Sequence, residues 1–118
     1  MIQLMAYDCE LADRIRVLVA GEEGVAEQRM FGGLAFLVNG NMSVAASGQG
    51  GLLVRVNPEE AGALAGGEYV RPMVMRGREM RGWLQVDSTA VSDSSQLERW
   101  VARGISYARS LPAKTTRR

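Results

Sequence analysis

Apolar residues recur along this chain with two different periods, and the switches between them divide it into elements. Over residues 8–20 the period is helical. Leu11, Ile15, Leu18 and Val19 fall at i, i+4, i+7 and i+8 and form one apolar stripe. Asp8 suits the N-cap and Gly21 the C-terminal stop, and Arg14 and Arg16 then face solvent. From residue 25 the period drops to two, with Ala26, Gln28 and Met30 on one side of a strand over 25–31. Gly32-Gly33 marks a tight turn or bulge. Residues 34–38 (Leu-Ala-Phe-Leu-Val) are apolar throughout, as expected of a strand covered on both faces. Asn39-Gly40 predicts a two-residue type I′ hairpin, 42–46 its return strand, 47–51 a second turn and 52–56 a fourth strand. Connections this short make the four strands an antiparallel meander, because parallel strands need longer crossovers.

Asn57-Pro58-Glu59-Glu60 is a helix start, with a capping amide, a proline at the first helical position and two carboxylates at the positive end of the dipole. Gly66-Gly67 keeps that helix short. Residues 71–76 and 79–87 predict a further hairpin around Gly77-Arg78, in which Met80, Gly82, Leu84 and Val86 alternate with Arg81, Trp83 and Gln85. A last helix starts near Ser92 or Asp93. Its apolar face is Leu97, Trp100, Val101, Ile105, Ala108 and Leu111, with Arg99, Arg103 and Arg109 elsewhere on its circumference. Pro112 closes it, and residues 114–118 form a basic tail expected to be mobile. The expected fold class is therefore α+β: an antiparallel sheet, meander plus hairpin, with N-terminal, short middle and C-terminal helices packed on it.

At 118 residues the chain suits one domain with one core. No apolar stretch reaches the roughly 20 residues that span a bilayer. The N-terminus lacks the basic n-region and long apolar run of a signal peptide, so cytoplasm is the expected compartment. The chain has no histidine and one cysteine, Cys9. That composition excludes Ser-His-Asp and Cys-His triads, imidazole-ligated metals, a thiolate zinc site and an intrachain disulfide. Neither a cofactor nor a metal is expected, and no catalytic residue is assigned.

The net charge of +1 is unevenly spread: residues 1–70 carry −5 and residues 71–118 carry +6. Such asymmetry marks either an anionic partner's surface or two sequence halves that interleave and cancel in the fold. Arg71, Arg76, Arg78 and Arg81 cluster on the predicted hairpin, with Arg55 on a neighbouring strand and Tyr69 and Trp83 flanking them. Guanidinium forks and aromatic faces together suit a nucleic acid or another anion, whereas a solvated sheet face studded with arginine is the plainer explanation. Ser47-Gly48-Gln49-Gly50-Gly51 has the composition of a phosphate loop but lacks its Lys-Ser/Thr and precedes a strand, so it is expected to be a hairpin turn. Glu22-Glu23 and Glu59-Glu60 diverge as sequence neighbours and make poor metal ligands. Met30, Met42, Met73, Met75 and Met80 occupy apolar strand positions, where flexible core filler is the first explanation and a pliable binding surface the second.

Several segments resemble the N-terminal domain of the TfoX/Sxy family, known from bacterial competence regulators. The most specific is Arg29-Met30-Phe31-Gly32-Gly33-Leu34-Ala35-Phe36-Leu37-Val38-Asn39-Gly40-Asn41-Met42. Met5-Ala6-Tyr7-Asp8, Leu53-Val54-Arg55-Val56, Arg71-Pro72-Met73, Gly77-Arg78-Glu79-Met80-Arg81-Gly82-Trp83 and Ala108-Arg109-Ser110-Leu111-Pro112 also fit. The resemblance spans residues 5–113 as one domain, with Met5 as the natural start and 1–4 as an extension. It implies helices packed on an antiparallel sheet, similar to type III secretion chaperones and YjbR-like proteins, and it carries no catalytic residues over. The helical C-terminal domain of the regulators has no counterpart in this sequence. A regulatory or adaptor protein acting by protein–protein interaction, as a homodimer and away from membranes, is the function it implies. Nucleic-acid binding through Arg55, Arg71, Arg76, Arg78 and Arg81 is the alternative, and an enzyme acting on a phosphorylated small molecule is a weaker third.

Overall fold

A computed structural model describes residues 7–30 and 32–114. The expected extension over 1–4, the start at Met5, Phe31 of the first strand and all but Lys114 of the basic tail lie outside the described residues. Helix α1 (Cys9–Val19) begins where the Asp8 carboxylate accepts a hydrogen bond from the Leu11 amide at 3.1 Å. Leu11, Ala12, Ile15 and Val19 are its buried face, and Leu18 packs at the margin.

The six strands are β1 (Val25–Met30), β2 (Gly33–Val38), β3 (Asn41–Ala46), β4 (Leu52–Arg55), β5 (Val70–Met75) and β6 (Arg78–Val86). They form one sheet in the order β1-β2-β3-β4-β6-β5, antiparallel throughout. The predicted meander and hairpin thus join edge to edge, with β6 beside β4 and β5 at the outside. Within the sheet the two sequence halves stay apart, β1 to β4 from the acidic half and β6 and β5 from the basic half at one edge, so the expected interleaving does not occur there. Asn39 and Gly40 take φ of 52° and 85°, the left-handed pair that a two-residue hairpin with the sheet's own twist requires.

The second two-residue turn is Arg76-Gly77, at φ 55° and 79°, one residue earlier than the expected Gly77-Arg78. The reason is register: Met75 stands opposite Arg78, so Gly77 takes the second turn position, as Gly40 does in the first. An arginine in the left-handed region costs roughly 1 kcal/mol that a glycine would not.

Helix α2 (Pro58–Leu64), the short α3 (Ser88–Val91) and α4 (Ser94–Ser110) complete the fold. The four-residue α3, capped by Asp87, is too short to carry a period and has no signal in the apolar pattern. All helices pack on one face of the sheet, where they bury Leu34, Phe36, Val38, Val44, Val54, Leu84 and Val86 beneath Ile15, Leu97, Trp100, Val101 and Ile105. Gly104 lets α4 lie directly on β3: a Cβ there would stand 2.6 Å from the Ser43 carbonyl oxygen and 2.6 Å from Val44 Cγ1. Gly82 does the same for the start of α2. A Cβ there would come within 3.1 Å of Pro58 Cγ, and its φ of 85° is one that side chains avoid. The Val56 amide donates to the Gly82 carbonyl at 2.8 Å across that junction. Beyond α4, the Asn41 side-chain amide donates to the Pro112 carbonyl at 2.9 Å and the Lys114 backbone amide to the Asn39 carbonyl at 2.8 Å, tying the segment after α4 to the β2–β3 turn.

Two glycines separate close packing from mere flexibility. Gly104→Ala is expected to destabilise by about 1–3 kcal/mol through overpacking, whereas Gly62→Ala, in an open stretch of α2, is expected to stabilise by roughly 0.5–1 kcal/mol. Denaturant melts of the two variants read both signs.

Three carboxylates sit below their ordinary range: Asp87 through the Thr89 amide, Asp93 through the Ser95 side chain and Glu27 through Arg16. Their folded pKa values lie under the unfolded ones, so their contribution is complete at neutral pH and is lost as pH falls below about 4. Melting temperature followed by circular dichroism should fall with pH in that window. It should fall less steeply in Asp93→Asn, whose amide caps the helix without titrating.

Candidate functional site

The strand registers place Gln28, Ala35, Ala45, Leu53, Gln85 and Arg71 successively opposite one another across all six strands. Residues directly opposite share a face, and their neighbours along each central strand belong to the helix-side core. This row therefore floors the face that carries no helix. Ala35, Ala45 and Leu53 are nevertheless buried, because Met30, Leu37, Met42 and Met73 pack around them as a second apolar cluster.

Met42 owes its place to a bulge. Phe36 opposes Val44 and Leu37 opposes Met42, leaving Ser43 as the extra residue in β3. Plain alternation would send Met42 to the helix side with Val44 and Ala46; the inserted residue turns it to the other face. The buried Ser43 hydroxyl donates to the Phe36 carbonyl at 2.7 Å, which satisfies it inside the bulge.

Between these side chains and β5 lies a groove of about 260 Å³. Ala45, Leu53 and Gln85 floor it, Met30, Met42, Met73 and Met75 wall it, and Ser47-Gly48-Gln49 closes one end. Among the described residues no carboxylate lines it, and Arg71 and Arg76 are the charged ones that do. Among the described residues neither arginine has a carboxylate within ion-pair distance. Val74, 55% exposed, also lines the groove; Met80, 36% exposed, lies near the hairpin's end.

The five arginines singled out in the sequence do not form one patch. Arg71 and Arg76 reach the groove, whereas Arg78 and Arg81 are exposed on β6 outside its lining. Arg55 is committed elsewhere, with its guanidinium 5.7 Å from the Trp83 ring centroid and 5.8 Å from that of Tyr107. The aromatic surface of Trp83 that was expected to flank the cluster is thus already taken by a cation. Met30, Met42 and Met73 do fill in around a buried apolar cluster, but on the helix-free side of the sheet. Met30, Met42, Met73 and Met75 are half-buried and Met80 is exposed, so none fills the core beneath the helices. The reason is that those helices cover only one side of the sheet.

Residues 47–51 make a hairpin turn: the Ser47 amide donates to the Gly51 carbonyl, the Gly50 amide to the Ser47 carbonyl, and the Gln49 amide to the Ser47 hydroxyl. Gln85, buried in the floor, donates from its side-chain amide to the Gly50 carbonyl at 2.8 Å and fixes this turn as the groove's end wall. Glu22 accepts from Arg109 at 2.9 Å on the helix side, and Glu59 and Glu60 lie in the first turn of α2. Cys9 is exposed at the first position of α1. Among the described residues no three Cys, Asp or Glu side chains gather as metal ligands, and no helix is long and apolar enough to cross a membrane. Periodicity had carried a trace of the groove. Gly33 and Ala35 alternate with Leu34 and Phe36 in β2, but only the bulge and the strand order show which residues meet across the helix-free face.

The model of the TfoX N-terminal domain matches residues 18–108, from the end of α1 to the last turns of α4, and takes in every strand. No curated protein and no solved structure matches. The chain belongs to the TfoX N-terminal domain family.

Proposed function

We propose that this TfoX N-terminal domain is a non-catalytic adaptor or regulator that binds a protein segment in the methionine-walled groove. The observation that carries this reading is an apolar cluster of Ala35, Ala45 and Leu53 on the helix-free face, of which Ala45 and Leu53 with Gln85 floor a groove walled by half-buried methionine. Unbranched thioether side chains adapt to varied apolar partners at little cost. The groove's volume falls below the roughly 300–1,000 Å³ of a cofactor or drug-sized site, and it suits one or two side chains of a peptide. Pairing of two copies, implied by the resemblance, belongs to the same proposal. Light scattering that returned a strict 12.8 kDa monomer would remove it.

A photoreactive residue tests the reading in living cells. Placed at Val74 beside the groove, it is expected to give a discrete protein adduct; placed at Val17, 76% exposed on α1, it should give none. Met42→Ser with Met73→Ser should abolish the adduct while costing about 1–2 kcal/mol each, since both are half-buried. Equal labelling from both positions would end the reading.

Nucleic-acid binding is kept as a second reading because Arg71, Arg76, Arg78 and Arg81 are all exposed on one hairpin. Its mark is an affinity that falls steeply with salt as counterions are released. Removing Arg76, Arg78 and Arg81 together should flatten that slope. Absence of any DNA or RNA retardation at low salt would dismiss it.

A further inference from the structure

We infer that the occupant of the groove is a partner segment in which apolar side chains stand next to Asp or Glu, and not a second copy of this chain. This rests on the reading of the groove as a protein-docking site and adds the chemistry of what it takes. Two independent observations carry it. The first is charge: among its described lining residues the groove presents Arg71 near the start of β5 and Arg76 in the turn beyond its other end, and no carboxylate, so a cation stands at each end of the apolar walls. A two-fold pairing of groove on groove would bring four guanidinium groups into one seam, with no carboxylate among the groove's described lining to offset them. A carboxylate-bearing segment meets two guanidinium forks instead.

The second observation is backbone strain. Arg76 occupies a left-handed turn position that asparagine or glycine fills more comfortably, as Asn39 does in the other two-residue turn of the same sheet. Folding alone favours asparagine or glycine there by roughly 1 kcal/mol. The strained residue is also one of the two cations of the groove. Arg71 ends the cross-strand row that floors the same groove, so the two charges come from positions set by register and by the turn. Edge strand β5 carries Pro72, which lacks an amide donor and discourages simple strand addition there. Recognition therefore falls to side chains: methionine walls for the apolar residues, arginines for the acid.

The test uses the whole chain and a displayed library of random dodecapeptides. Selection is expected to enrich peptides with one or two of Leu, Ile, Phe or Met beside Asp or Glu. A synthetic consensus peptide should bind more weakly as salt rises. It should lose roughly tenfold in affinity to Arg71→Glu combined with Arg76→Asn. Arg76→Asn suits the turn, so its melting point should equal or exceed that of the parent, which separates lost recognition from lost folding.

Enriched apolar peptides without acids that ignore both arginine changes, yet are lost on Met42→Ser with Met73→Ser, would overturn this inference and leave the docking groove standing. Peptides indifferent to both sets of changes would overturn the groove as well. A concentration-dependent dimer in sedimentation that Met73→Glu abolishes would assign the face to a second copy and equally overturn the inference.

Discussion

At Gly104 the backbone of α4 lies so near β3 that a methyl group would stand 2.6 Å from the Ser43 carbonyl oxygen. Contact at that distance fixes the height of the helix over the sheet, and most of the layer follows from it. Trp100, Val101, Ile105 and Ala108 sink between the side chains of β2, β3 and β4, and α1 settles beside them through Ile15 and Val19. All helices then share one face. An antiparallel sheet can leave its other face to solvent, but β2 to β4 carry apolar residues on both sides. The second side must be covered by something small and local. Here that cover is methionine.

The bulge at Ser43 couples the two faces. It sits under Gly104 on the helix side, and by adding one residue it turns Met42 to the opposite side and Asn41 toward Pro112. One irregularity thereby seats α4, anchors the segment after it and supplies a wall of the groove. Bulges are often retained where a strand must re-aim a side chain, and this one re-aims two.

Much of this was legible in the chain. Helical spacing located α1 and α4, the Asn-Pro-Glu-Glu start located α2, and Asn39-Gly40 gave the central hairpin, because each rests on interactions within a few residues. The unbroken apolar run of β2 correctly implied cover on both faces. What escaped is non-local. The joining of β6 to β4, the turn at Arg76 instead of Gly77 and the extra residue at Ser43 depend on which strand lies opposite which. The grouping of five arginines failed for the same reason. An expected neighbouring strand put Arg55 beside the hairpin but did not show that it stands between Trp83 and Tyr107, from α4, at cation–π distance from both.

Floor and walls of the groove differ in stiffness, and that difference bears on what the site discriminates. Ala35, Ala45 and Leu53 are held by ladder hydrogen bonds on both sides, and Gln85 is further tied to the Gly50 carbonyl. The methionines can change rotamer around them. A soft apolar wall over a fixed floor accepts many shapes and separates them poorly. Discrimination then falls on groups whose loss leaves a charge unmatched, which in this groove are Arg71 and Arg76. Sheet register and the turn set where their backbones stand, one toward each end of β5, and their exposed side chains carry the charge to the groove. In the proposed docking the adaptable methionines would supply affinity and the two arginines the selection for an acid.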